Sequence, residues 1–166
     1  MEPLITLIAV TALLLLAGHP GRVRGVTRLR GRPVAALRGG LAAMFVLTGI
    51  AHFAGMRAEL VDMVPSAFPA PELLVTLSGI AELAGAAGLL WAPTARLAAG
   101  GLSLLLVVVF PANVHLAAGG DVPWYDELGP RTVTQIIFLA ATLTVLFKHR
   151  RPADDTSPQP RVPLAR

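Results

Sequence analysis

Apolar positions in this sequence neither alternate nor recur along one face. They gather into long blocks separated by short polar stretches: Leu4 to Gly18, Pro33 to Ala54, Glu72 to Trp91, Leu97 to Ala118 and Thr132 to Phe147. A helix that is apolar all round must be buried in a large core or in a bilayer, and a single domain of 166 residues has no core able to take five of them. Crossing a hydrocarbon layer of about 30 Å takes about 20 residues at about 1.5 Å each. The pattern therefore predicts an all-α membrane protein with five spanning segments. The first block is the shortest, at roughly 22 Å as a helix. A signal peptide is its rival reading, but positive charge follows this block rather than preceding it, and the chain opens Met1-Glu2-Pro3. That order favours an uncleaved helix with its N-terminus outside.

The polar stretches mark where the helices stop. Pro33 suits a first helical turn, where the missing N–H breaks no bond. Pro65, Pro69 and Pro71 exclude a continuous helix between the second and third blocks. Within that loop, Leu60, Met63 and Val64 fall at helical spacing among Arg57, Glu59 and Asp62, which predicts a short helix on the membrane surface over 56–64. Trp91 suits the interface and Pro93 marks a stop. The brief turn before Leu97 predicts antiparallel neighbours. After Lys148 the chain has four prolines, Asp154 and Asp155 and no periodicity, the pattern of a disordered tail.

Composition strengthens this picture. Hydrophobic residues make up 54% and charged residues 14%, against about 25% charged in soluble domains, and the mean hydropathy is +0.66. The net charge of +4 does not form the basic stripe of a soluble nucleic-acid binder. Arg22, Arg24, Arg28, Arg30, Arg32 and Arg38 cluster after the first block, Arg96 lies in the turn after the third, and Lys148, His149, Arg150 and Arg151 follow the fifth. Five crossings place all of these on one side. The opposite loops, 55–71 and 119–130, hold five acids (Glu59, Asp62, Asp121, Asp126, Glu127) and one arginine (Arg57). The positive-inside rule then predicts a multi-pass protein of the plasma membrane, N-terminus outside and C-terminus cytoplasmic. The chain has no cysteine, so it can supply neither disulfides nor thiolate chemistry. No long-period repeat suggests the inverted halves of many transporters.

Ionisable groups inside spanning helices are candidate functional sites. Glu82 lies about 10 residues into its block, roughly 15 Å deep. With no Lys or Arg at that depth, it is expected to be protonated or hydrogen-bonded to a polar side chain on another helix. Structural glue between helices and a functional carboxyl are both open readings. Around it, Ala81/Gly85 and Ala84/Gly88 are small-xxx-small pairs that permit close helix approach. His52 ends the second block, Asn113 and His115 lie late in the fourth, and Gln135 begins the fifth. Pro111 removes a backbone bond and frees the carbonyl of Val107, a place for a kink. These residues form a candidate ligand-binding pocket opening to the outer face: His52, Glu82, Asn113, His115 and Gln135. A metal is not expected, because helix arithmetic sets Glu82 about 10 Å deeper than His52. No catalytic serine elbow, phosphate loop or zinc motif occurs.

At GIAHF (49–53), VPSAFPAPE (64–72), LSGIAELAGAAGLL (77–90), VFPANVHLA (109–117) and the Arg131…Gln135 start of the last block, the sequence resembles the DoxX family of small bacterial membrane proteins. The pieces run from about Leu37 to Leu146. The resemblance implies an antiparallel four-helix transmembrane bundle over 34–147. It makes residues 1–19 an additional N-terminal transmembrane helix, 20–33 an Arg-rich cytoplasmic loop and 148–166 a disordered cytoplasmic tail. It further implies an accessory or scaffold subunit of a membrane redox assembly, quinone-linked or oxidative-stress-linked, with a quinone as the candidate cofactor. The expected partners are the lipid bilayer, a redox protein or a second copy of the chain, and no nucleic acid. A small-molecule or proton-coupled transporter and a membrane-protein assembly factor are the alternatives. The absence of cysteine argues against a thiol oxidoreductase.

Overall fold

The computed structural model describes residues 2–17, 32–119 and 122–148. The Arg-rich loop and the tail anticipated from the sequence lie outside the described residues apart from their helical ends. The described residues are all-helical, with no strand: α1 (Glu2–Ala17), α2 (Arg32–Ala51), α3 (Arg57–Asp62), α4 (Pro71–Leu90), α5 (Ala95–Ala118), a 3-10 turn (Trp124–Asp126) and α6 (Leu128–Lys148). Four stretches, Pro33–Ala51, Pro71–Leu90, Ala95–Ala118 and Leu128–Lys148, are long and apolar enough to cross a membrane. α1, with 16 residues, is shorter, about 24 Å.

Local chemistry sets the helix ends. α4 starts on Pro71, preceded by Ala70 in the left-handed region at φ 52°. The Ala70 carbonyl accepts the N–H groups of Leu73 (3.0 Å) and Leu74 (3.1 Å). At the other end Trp91 turns extended, ahead of Ala92-Pro93, which disfavours further helix. The last carbonyls of a helix lack internal partners, and three of those in α4 are satisfied by side chains. Thr94 donates to the Gly88 carbonyl (2.8 Å), and Arg38 donates from Nε to Leu89 (2.7 Å) and from Nη2 to Leu90 (3.0 Å). Arg38 therefore belongs to the second turn of α2 and closes a neighbouring helix; the sequence suggested only a topology-setting charge. At the end of α2, Gly55 turns the chain at φ 73°, a conformation natural to glycine. α6 begins four residues earlier than its apolar block, with Pro130 in its first turn.

Neighbouring helices pack with opposite direction. α2 contacts α1, α4 and α6, and α5 contacts α4 and α6. Arg38 near the start of α2 meets the end of α4, whereas His52 after its last turn lies beside Gly79. Gly88 faces Ala98 and Gly85 faces Leu102, so the small residues of α4 admit α5 closely, as their spacing suggested. The core joins Leu41, Met44 and Phe45 of α2 with Ala86 and Leu89 of α4, Leu102 of α5 and Val145 of α6. Outside that core the surface stays apolar: Leu97 is 80% exposed, Phe147 75% and Leu104 65%. Such a belt on a monomer in water would mark an interaction surface; on helices of this length it is the face that hydrocarbon accepts.

Candidate functional site

Glu82 sits on the inner face of α4, 9% exposed, one turn from Ala86 and level with the end of α2. α2 meets it with Thr48, whose hydroxyl Oγ1 donates to Glu82 Oε2 at 2.5 Å. His52, one turn further along the same face, places Nδ1 2.8 Å from the Thr48 carbonyl and 3.9 Å from Glu82 Oε2. The carbonyl can only accept, so the proton on that nitrogen points to Thr48, and Nε2 is the acceptor of the neutral ring. The imidazole is thus an electrostatic neighbour of the carboxyl group rather than its hydrogen-bond partner.

This arrangement corrects the depth assigned from helix arithmetic. Glu82 and His52 were expected about 10 Å apart along the membrane normal, yet their polar atoms approach to 3.9 Å. The reason is register. Gly79, not the start of α4, lies against His52, so the first two turns of α4 extend past the end of α2. α3 packs against that overhang, and Arg57 ties the two together. It donates to the His52 carbonyl (3.1 Å), the Thr76 hydroxyl (3.1 Å) and the Glu72 carbonyl (3.4 Å).

Two of the remaining candidates, Asn113 and Gln135, join α5 to α6. Asn113 Oδ1 accepts from Arg131 Nη1 at 2.7 Å. Gln135 Nε2 donates to the Leu106 carbonyl at 2.5 Å. Leu106 is buried, while Val107, whose carbonyl Pro111 leaves without its helical donor, is 54% exposed. α5 runs as one helix through Pro111. His115 is exposed on α5. The structure therefore brings His52 and Glu82 together around Thr48, and sets Asn113 and Gln135 in a second polar seam. No hydrogen bond or ion pair among the described residues links His52 or Glu82 to Asn113 or Gln135, and no three His, Cys, Asp or Glu side chains among them converge.

A third polar pair escaped the sequence altogether. Ser103 of α5 and Thr142 of α6 are buried with their hydroxyls 2.8 Å apart. Hydroxyls in apolar helices usually bond their own backbone, as Thr142 also does toward Phe138 (3.1 Å), so nothing in the pattern marks the ones that reach across. Thr48 had one usable sign, its spacing of four residues from His52 on a helix face. Two cavities are lined by other residues: an apolar groove of about 270 Å³ between α4 and α5, and a surface hollow of about 450 Å³ around Arg57, Val61 and Glu72.

A family model described as a domain of unknown function (DUF8561) matches residues 41–145. The chain belongs to this family. No curated protein and no solved structure matches it. The DUF8561 span opens at Leu41, within α2, and closes at Val145, within α6. It thus includes Thr48, His52, Glu82, Asn113 and Gln135, and leaves α1 and Arg38 outside.

Proposed function

We propose that this DUF8561 protein is a DoxX-like scaffold or accessory subunit of a redox assembly in the plasma membrane. In this reading the four long helices are an antiparallel transmembrane bundle, α1 is an additional crossing, the N-terminus lies outside and the C-terminus is cytoplasmic. The observation that carries the functional reading is how the polar side chains inside the helices are engaged. Glu82 bonds Thr48, Asn113 bonds Arg131, Gln135 bonds the Leu106 carbonyl and Ser103 meets Thr142. Polar groups used this way fasten helix to helix. They give a rigid frame whose outer faces are apolar and open to a partner, and the sequence pieces shared with DoxX proteins point to a redox partner. Aromatic residues support the membrane placement: Trp91 precedes α5 and Trp124 follows it, each 65% exposed, about 36 Å apart along the 24 residues of α5. Interfacial tryptophans flank spanning helices in this way.

Gentle detergent purification from the native membrane, with mass spectrometry of what accompanies the chain, tests the proposal. The expected result is a co-purifying redox protein, with or without a quinone; recovery of the chain with neither would overturn it. One observation favours a second reading, proton-coupled transport: the Glu82 carboxyl, in the middle of α4 and level with the end of α2, lies 3.9 Å from the His52 imidazole. Substrate flux into proteoliposomes that Glu82→Gln abolishes would establish it, and flux indifferent to that change would remove it.

A further inference from the structure

His52 and Glu82 lie in the seam between α2 and α4, and one side chain bridges that seam just beyond them. Along α4 the order, about one turn at a time, is Ala86 in the core, Glu82, Gly79 against His52, and Thr76. At Thr76 the α2 helix has ended and Arg57 takes its place. The guanidinium donates to the last carbonyl on the α2 side, that of His52 (3.1 Å), and to the Thr76 hydroxyl (3.1 Å) and Glu72 carbonyl (3.4 Å) of α4. In the other direction the seam ends on Leu41, Phe45 and Leu89, all buried. Water reaching Glu82 along the seam therefore comes from the α3 end, and meets Arg57 first.

That closure is lightly held. All three acceptors of Arg57 are neutral, and no ion pair within 4.0 Å joins it to a carboxylate among the described residues. α3, which carries it, buries none of its residues, and segments with so little burial open locally at low cost. Two left-handed residues bracket the segment. Gly55 at φ 73° stands two residues before Arg57, with open space where a Cβ would be, and Ala70 at φ 52° closes the loop ahead of α4. The hollow of about 450 Å³ beside Arg57, Ala58 and Val61 leaves the guanidinium room to withdraw. We infer that Arg57 is a gate on the Glu82 carboxyl. Seated, it bars water and water-borne ions; α3 swinging about Gly55 admits them. The inference concerns access to Glu82 and is independent of the redox assignment and of any transported substrate.

Carboxyl modification tests it. The full chain in lipid nanodiscs is treated with a water-soluble carbodiimide and glycinamide, and modification of Glu82 is followed by peptide mass spectrometry against exposed Glu127. In the wild type Glu82 is expected to react far more slowly than Glu127. Arg57→Gln should speed Glu82 by about tenfold, the effect on an opening equilibrium of losing hydrogen bonds of ordinary net strength. Thr76→Val, which removes one of the three acceptors, should give a smaller rise and serves if Arg57→Gln does not fold. Arg38→Gln is the control for general loosening, because Arg38 ties the opposite ends of the same two helices; it should leave Glu82 slow. Glu82 reacting as fast as Glu127 in the wild type, a rate unmoved by Arg57→Gln and Thr76→Val, or an equal rise with Arg38→Gln would each overturn the inference.

Discussion

The bond between Thr48 and Glu82 joins α2 to α4 at the centre of the chain, and removing it is the most informative perturbation. Thr48→Val keeps the shape of the side chain and deletes the hydroxyl, so the Glu82 carboxyl, 9% exposed, loses the one side-chain donor within hydrogen-bond distance among the described residues. Leaving a buried polar group unsatisfied costs about 1 to 3 kcal/mol in soluble proteins. Between membrane helices, measured couplings average about 0.6 kcal/mol and reach about 1.7. The carboxyl that accepts the bond is buried, so the upper part of that range applies, and Thr48→Val should destabilise by about 1.5 kcal/mol. Glu82→Gln should cost less than about 1 kcal/mol, because the carboxamide oxygen still accepts from Thr48. Glu82→Leu in the Thr48→Val background should recover most of the loss, since both polar partners are then gone. The assay is reversible unfolding in mixed micelles, followed by far-ultraviolet circular dichroism and analysed as a double-mutant cycle. Additive effects of Thr48→Val and Glu82→Leu, with a coupling below about 0.3 kcal/mol, would show that the contact does not join the helices energetically.

Other expectations follow from single contacts. Arg38→Met should lower stability by roughly 1.5 to 3 kcal/mol, the range for bonds to charged groups, because the carbonyls of Leu89 and Leu90 lose their guanidinium donor; Arg38→Lys, which lacks the fork, should recover only part of it in the same unfolding assay. Gly40→Ala should detach α1, since the new Cβ would run into the Thr11 hydroxyl and lie 2.9 Å from the Leu7 carbonyl; the expected loss is about 1 to 3 kcal/mol, with faster proteolysis of the N-terminal helix as the readout. Thr11→Val removes a buried hydroxyl that has no hydrogen-bond partner among the described residues and should leave stability unchanged or raise it by up to about 1 kcal/mol. Because the chain lacks cysteine, single replacements report topology directly: Ser66→Cys should react with an impermeant maleimide in intact cells and Ser157→Cys only after lysis, and the reverse pattern would invert the orientation.

Several features follow from the sequence without any tertiary information, and they share a cause. Helix existence depends on runs of apolar residues within one segment, and helix ends depend on neighbours such as Pro71 and Ala92-Pro93 acting over one or two residues. The four long helices, the short α3 and the break at residues 91–94 are therefore legible directly. So is the candidacy of Glu82, because a carboxyl amid apolar residues stands out whatever surrounds it. Partners are different. Thr48 and Glu82 are 34 residues apart, Arg38 and Leu89 51 apart. Whether two such groups meet depends on how far one helix slides along another and which face it turns. A shift of one residue moves a side chain by about 1.5 Å and rotates it by about 100°. Sequence places each residue on its own helix but leaves that offset free. The close packing of Gly79 on His52, Gly85 on Leu102 and Leu41, Phe45 and Val145 in the core fixes it, and so only the tertiary structure could bring His52 to Glu82, carry Gln135 to the Leu106 carbonyl, and turn Arg38 from a topological charge into the cap of α4.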